Sequence, residues 1–229
     1  MIFQEPLASL NPAYTIGRRI CEAIRLHRSD KAARAQDHAA WLLRSVGLAE
    51  TQRWARAYPH QLSGGIAQRA MIAMAVSCEP ALLIADEPTT ALDKVTEVQI
   101  LDLLDELREQ SRMSIPLITH DLRIVPERAD DVAVMYASRI VETADSQSLL
   151  AEPLHPYTRL LLRAARPLEP AGPRKRTSLP LDLSTPTLAF SGCPFYSNCN
   201  QAVDRCLKPI PLPGETTTAA GHFTACWKS

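Results

Sequence analysis

Four short stretches of this sequence combine residue types that could bind and activate a phosphate. Leu62-Ser63-Gly64-Gly65-Ile66-Ala67-Gln68-Arg69 opens an apolar helix. Its two glycines let a backbone approach a ligand closely, and the helix N-terminus turns free N–H groups and a positive dipole end toward an anion. Ser63 adds a hydroxyl donor. Eighteen residues beyond Gln68 comes Asp86, at the end of the apolar run Leu82-Leu83-Ile84-Ala85, with Glu87 directly after it. An Asp at the end of a buried strand suits magnesium held through water, and a neighbouring Glu can polarise a water for attack on a γ-phosphate. Ala91-Leu92-Asp93 follows, and a second apolar run from Pro116 to Thr119 ends in His120, whose imidazole can donate to phosphate oxygens. Singly, these are an ordinary helix start, a polar strand exit and an incidental histidine. Four of them in this order and spacing are not a chance set.

A second group is made of sulfur. Of six cysteines, Cys21 and Cys78 stand alone in helix-like surroundings, whereas Cys193, Cys199, Cys206 and Cys226 crowd into the last 37 residues. In a cytosolic protein such a cluster favours metal over disulfides. Tetrathiolate suits zinc or an iron–sulfur cluster. Structural zinc uses paired C-x2–4-C knuckles, and the spacing here is C-x5-C-x6-C-x19-C. A [4Fe–4S] cluster is the preferred reading, with zinc or simple packed thiols as the alternatives.

The elements that must hold these groups follow from periodicity. His38, Ala39, Leu42, Leu43 and Val46 form one apolar helix face, ended by Gly47. Arg69 to Ser77 is apolar almost all round and reads as a buried helix, and Val98 to Arg108, with Leu101, Leu104 and Leu107, as an amphipathic one. Leu82–Ala85 and Pro116–Thr119 read as buried strands, and Val132–Tyr136 with Arg139–Glu142 as a closing strand pair. Strands alternating with helices predict an α/β fold on a mostly parallel sheet. Seven of the 18 prolines precede residue 150 and eleven follow it, so a packed body is expected first and a loop-rich tail after it. Pro167, Pro170, Pro173 and the run Arg174-Lys175-Arg176 read as a linker, the basic run being a solvated tether.

Bulk composition excludes other classes. With 229 residues, 46% hydrophobic, and 25 basic against 25 acidic residues, the chain can bury a full core and has no charge excess for general nucleic-acid binding. Its longest apolar run, Ala70 to Val76, falls far short of the roughly 20 residues that cross a bilayer. The N-terminus, whose first basic residue is Arg18, does not resemble a signal peptide. A cytosolic protein that meets membranes through a partner is expected.

From Gln4 to about Glu142 the sequence resembles an ATP-binding-cassette (ABC) ATPase. Leu62-Ser63-Gly64-Gly65 through Gln68 resembles the family signature, Leu82 to Glu87 its Walker B strand, Ala91-Leu92-Asp93 its D-loop and His120 its switch histidine. Phe3-Gln4-Glu5-Pro6 resembles the Q-loop, whose glutamine senses magnesium and the attacking water and couples to the membrane subunit. Ser9-Leu10-Asn11-Pro12, Leu154-His155-Pro156-Tyr157-Thr158 and the cysteine-bearing end, Gly192-Cys193-Pro194-Phe195 to Ala225-Cys226-Trp227, resemble the oligopeptide, dipeptide and nickel importer branch. The resemblance implies part of a P-loop nucleotide-hydrolase core (1–145) with a helical subdomain (10–76), a linker carrying the HPYT segment (146–180) and a Cys-rich region (181–229).

It also implies ATP and Mg2+ as ligands, with Glu87, His120 and Gln4 catalytic and Asp86 the metal residue. Ser63, Gly64, Gly65, Gln68 and Asp93 would meet nucleotide, the signature set acting in trans on the ATP of a second ABC subunit. Transmembrane permease subunits and, through them, a substrate-binding protein complete the implied assembly, at the cytoplasmic face of the inner membrane. The departures are specific. Relatives carry a phosphate-cradling G-x-x-x-x-G-K-[ST] loop upstream of the Q-loop, but none of Lys31, Lys94, Lys175, Lys208 and Lys228 follows a glycine. Met1 therefore matches an internal position of the family pattern, and a non-hydrolysing partner or remnant is the rival expectation. Ala67 stands where a polar residue is usual, Ser138 where glycine is, and Pro126 interrupts the segment after His120. A DNA-repair ABC ATPase is set aside, because only 57 residues separate Gln4 from Leu62, too few for its coiled coil.

Overall fold

The apolar run Leu82–Ala85 alternates exposed and fully buried positions, and Ala85 and Asp86 at its end pair on both sides in parallel. In the computed structural model, which describes residues 1–28, 32–165, 192–211 and 221–228, β1 (Ala85–Asp86) pairs with β2 (Leu117–Ile118) in the register Ala85↔Leu117 and Asp86↔Ile118. Ile2 bridges Ala85 in parallel on the opposite side, through Ile2 N to Ile84 O (2.8 Å) and Asp86 N to Ile2 O (3.0 Å). Both strands are shorter than the apolar runs predicted. Leu82 adds only an isolated bridge to Ser114.

Around this sheet the chain builds α1 (Pro6–Ser9), α2 (Ile16–Arg28), α3 (Ala32–Ser45), α4 (Thr51–Arg56), α5 (Gly64–Val76) and α6 (Lys94–Ser111). The expected face of α3 is buried at Ala39, Leu42 and Leu43, and Gly47 follows in the left-handed conformation (φ +81°) that a helix C-terminus favours. α5 is buried nearly all round, with Ala67, Ala70, Met71, Ile72, Ala73 and Val76 inside. The Phe3 N–H donates to Met71 Sδ at 3.1 Å, which ties the first strand to this helix. α6 packs Ile100, Leu103, Leu104 and Leu107 into the same core. These elements belong to one compact unit, Met1–His120. One side of its sheet is bare: Leu82, Ile84 and Ile118 are exposed while Leu83 and Ala85 are fully buried.

The second unit, Asp121–Ser229, opens with α7 (Val125–Arg128), where Pro126 stands in the first turn and its missing N–H costs nothing. The hairpin β3 (Asp131–Tyr136) and β4 (Arg139–Asp145) forms where a strand pair was predicted, and β5 (Phe223–Thr224) adds antiparallel to β4. Its turn places Ala137 (φ +47°) and Ser138 (φ +61°) in left-handed conformations. The stretch expected as a linker begins with α8 (Ser146–Ala151) and α9 (Pro156–Ala165), so the HPYT segment starts a helix. Its continuation, including Arg174-Lys175-Arg176, lies outside the described residues.

Candidate functional site

Parallel strands end on the same edge, and that edge gathers three of the expected residues. Gln4, Glu87 and His120 each stand one or two residues beyond Ile2, β1 and β2. Gln4 Nε2 donates to Glu87 Oε2 at 3.0 Å, and His120 Nδ1 lies 3.2 Å from Glu87 Oε1. Thr90, one turn further on, donates its hydroxyl to Glu87 Oε2 at 2.7 Å. The hydrogen bond from Thr90, and then that from His120, hold the Glu87 carboxyl below the usual range. Glu87 itself is left-handed (φ +44°), a strained state for a residue with a Cβ. Its N–H donates to Ile118 O at 2.9 Å, so the strand pairing holds the strain in place. Asp86 is half-buried beside it, and among the described residues its carboxyl makes no hydrogen bond. An open carboxyl next to Glu87 and Gln4 fits a magnesium ion held through water. No described loop supplies a phosphate cradle.

Ser63 is the N-cap of α5, with no side-chain capping bond; Ser63 and Gly64 are exposed and Gly65 is half-buried. A Cβ on Gly65 would come within 2.8 Å of Thr96 Cγ2, and one on Gly64 within 3.4 Å of Leu92 Cδ2. The signature turn therefore lies directly on the D-loop and the start of α6, and at Gly65 only glycine fits without displacement. Asp93 caps α6, accepting from Val95 N (3.1 Å), Thr96 N (3.0 Å) and Thr96 Oγ1 (2.7 Å). Those bonds, the Thr96 hydroxyl first, lower its pKa. Gln68 is not with Ser63 at the surface. It is 1% exposed, and its Nε2 has no partner among the described residues. Ala67, where a polar residue was expected, is fully buried.

Sequence reasoning missed Thr90 and gave no role to Arg69. Arg69 donates to Val46 O (2.8 Å) and Gln99 Oε1 (3.2 Å), joining the signature helix to the end of α3 and to α6. Two threonines directly after Asp-Glu-Pro were the available signal for Thr90. Arg69 had none, because its partners are backbone and a distant glutamine.

In the second unit, Cys193, Cys199, Cys206 and Cys226 all line one small cavity, together with His155, Phe195 and Trp227. Cys193 N donates to Cys206 O at 2.8 Å. Burial pushes the Cys193 thiol up to about 11, and the neighbouring Cys206, Cys226 and Cys199 add to the rise. Among the described residues no three His, Cys, Asp or Glu side chains are placed to hold a single metal ion. Glu142 is fully buried and accepts from Leu154 N (2.7 Å), His155 N (2.9 Å) and His222 Nε2 (2.7 Å).

The ABC transporter family model matches residues 1–90, and the model for the oligopeptide/dipeptide transporter C-terminal region matches residues 141–206. The oligopeptide transport ATP-binding protein AppD of Bacillus subtilis is 46% identical over 227 residues, 99% of this chain and 68% of that protein. The chain belongs to the ABC transporter ATP-binding family. The dipeptide transport ATP-binding protein DppD of Escherichia coli is 46% identical to this ABC chain over 211 residues, 92% of it and 64% of DppD. The solved structure of cbiO1 from Clostridium perfringens, part of the ABC transporter complex cbiONQ, resembles it with a TM-score of 0.57 and 27% identity, over 66% of this chain and 58% of that one. The α/β ABC ATPase fold expected from the motifs is the fold of this ABC chain. It spans about two thirds of the length of these curated relatives. Among the described residues no helix is long and apolar enough to cross a membrane.

Proposed function

We propose that this chain is the ATP-binding and ATP-hydrolysing part of a peptide importer, driving uptake through permease subunits fed by a substrate-binding protein. The observation that carries the reading is the meeting of Gln4, Glu87 and His120 at one strand edge, with Asp86 open beside them. In this reading Asp86 and Gln4 hold the magnesium ion through water. Glu87 polarises the attacking water, and His120 donates to phosphate oxygens. Ser63, Gly64 and Gly65 present the signature turn to the ATP of a second ABC subunit, with Gln68 supporting the helix behind them and Asp93 fixing the D-loop. The peptide substrate follows the relatives AppD and DppD. The place of work is the cytoplasmic face of the inner membrane, by peripheral attachment. The bare sheet face of Leu82, Ile84 and Ile118 agrees with a larger layered core, because parallel sheets are covered on both faces.

No lysine here follows a glycine, so these residues do not supply the Gly-Lys phosphate cradle. The test is therefore made on the chain joined to a P-loop segment. It should release phosphate from ATP, and Glu87→Gln should reduce turnover by roughly 10²–10⁴-fold while ATP binding persists. Near-normal turnover in that variant would remove Glu87 from its role. Taken as these 229 residues alone, the missing Gly-Lys favours a second reading, in which the chain only presents its signature face. Saturable stabilisation of the chain alone by ATP and magnesium would exclude that.

For the tail we propose a [4Fe–4S] cluster on Cys193, Cys199, Cys206 and Cys226. A cubane takes one thiolate at each iron corner, so its ligands ring a space rather than a point. Four thiols lining one cavity support this reading. Anaerobically purified protein should be brown with about four irons per chain.

A further inference from the structure

We propose that the helices of the first unit hold a second binding site, for a small anion carrying two or more carboxylate or phosphate groups, in the cavity lined by α2, α3 and α4. The proposal is independent of the nucleotide reading above, because none of Gln4, Ser63, Glu87 and His120 lines this cavity. Its volume is about 540 Å³, within the range of small-molecule sites. Small side chains make the room. A Cβ on Gly17 of α2 would come within 2.9 Å of Ala55 of α4, so these two helices meet tightly there. Ala39 and Ala40 of α3 complete the small lining.

Charge decides what the cavity takes. Arg18, Arg25 and Arg56 line it, and no Asp or Glu does. Glu22 and Glu50, close to them in sequence, are taken by other arginines: Glu22 pairs with Arg19 and Glu50 with Arg53, each at 3.2 Å. Among the described residues no carboxylate pairs with Arg18, Arg25 or Arg56. Arg18 stacks over the Tyr14 ring at 4.1 Å, which holds the guanidinium without using its N–H donors. Arg25 acts on the half-buried Cys21 of the cavity wall: burial pushes that thiol up, and the Arg25 charge pulls it back. Thr15, Thr51, Gln36 and Gln52 add neutral donors. A guanidinium presents forked donors that match carboxylate and phosphate oxygens. Three like charges around one cavity repel one another, and an anion with several charged groups relieves that repulsion.

The test titrates the whole chain with citrate and, separately, with tripolyphosphate in a calorimeter. At least one should bind saturably at one site per chain, and which one binds assigns the carboxylate or the phosphate source. Arg25→Gln and Arg56→Gln should each weaken that binding roughly tenfold, and the double variant further. Arg44→Gln removes the same charge from α3 outside the cavity and should bind as the wild type does. Ala40→Leu keeps every charge, fills the cavity and should also weaken binding. Equal loss in Arg44→Gln and Arg56→Gln would overturn the site and leave only a diffuse positive field. Absence of saturable binding by either anion would overturn it too. Binding of an aspartate-rich peptide alone would overturn the small-ligand reading and give the cavity to a partner chain. Should Ala40→Leu fail to fold, the arginine variants decide alone, since Arg25, Arg44 and Arg56 are exposed and their replacement leaves the core intact.

Discussion

Glu87 Oε1 and His120 Nδ1 lie 3.2 Å apart across 33 residues of sequence. The register Asp86↔Ile118 brings them there: each residue follows its strand by one or two positions, and parallel strands finish together. Glu87's other oxygen is already taken by Gln4 and Thr90, so the carboxylate is held from both sides.

Thr90 is the tighter of those two holds, and it makes the first prediction. Its hydroxyl bond is the largest cause of the lowered Glu87 pKa. Thr90→Val should therefore raise that pKa. In a chain joined to a P-loop segment, turnover needs ionised Glu87, so the acid limb of the pH–rate profile should move to higher pH. A limb that stays in place would show that Thr90 does not tune Glu87.

Asp93 gives a prediction in stability rather than rate. Its cap bonds, made to the Thr96 hydroxyl, Thr96 N and Val95 N, lower its pKa in the folded chain. The contribution is complete above the unfolded value of about 3.9 and is lost as pH falls through the lower folded value. Asparagine caps equally well but does not titrate there. Asp93→Asn should thus narrow its neutral-pH deficit as pH falls, and thermal melts across the acid range should show a flatter acid dependence for the variant. Parallel curves would mean that the cap does not depend on charge.

What was legible beforehand was whatever repeats with a period or ends a strand. α3, α5 and α6 announced themselves through Leu42, Met71 and Leu104, and Glu87 and His120 through the apolar runs before them. The burial of Gln68 was not legible, because a polar residue type alone does not mark a position in the second turn of an otherwise apolar helix. The tail was least legible. His222 and Glu142 are 80 residues apart, and nothing local in either marks the other as its partner. The HPYT segment gave no helical signal before the fold was known, yet Pro156 opens α9, where proline is well tolerated.

The hairpin turn supplies a prediction in which the change should help. A two-residue connection from Tyr136 to Arg139 needs positive φ at both centres, and Ala137 and Ser138 meet that without glycine. Left-handed backbone costs a non-glycine residue about 1–2 kcal/mol, and glycine gives back about 0.5–1 kcal/mol through its freer unfolded chain. Ser138→Gly should stabilise the second unit by up to about 1 kcal/mol, read as slower hydrogen exchange at the β3 and β4 amides. Faster exchange would show that the turn is relaxed as it stands.

Glu142 should be the most sensitive position of the second unit. It is fully buried, and its two oxygens accept three bonds: Leu154 N and His222 Nε2 on Oε1, and His155 N on Oε2. β4, the start of the HPYT segment and the end of the tail are joined through this one side chain. Glu142→Gln keeps the shape but replaces one oxygen with an NH2 group that can only donate. At least one of the three donors would then face another donor in a buried site. Leaving a buried polar group without its partner typically costs about 1–3 kcal/mol. The variant should lose protection at the Leu154 and His155 amides first, and the Phe223 and Ala225 amides of the docked tail should follow. Amides of α5 and α6, in the other unit, should keep their wild-type exchange. Protection unchanged at Leu154 and His155 would mean that the carboxyl is not what holds the tail to β4.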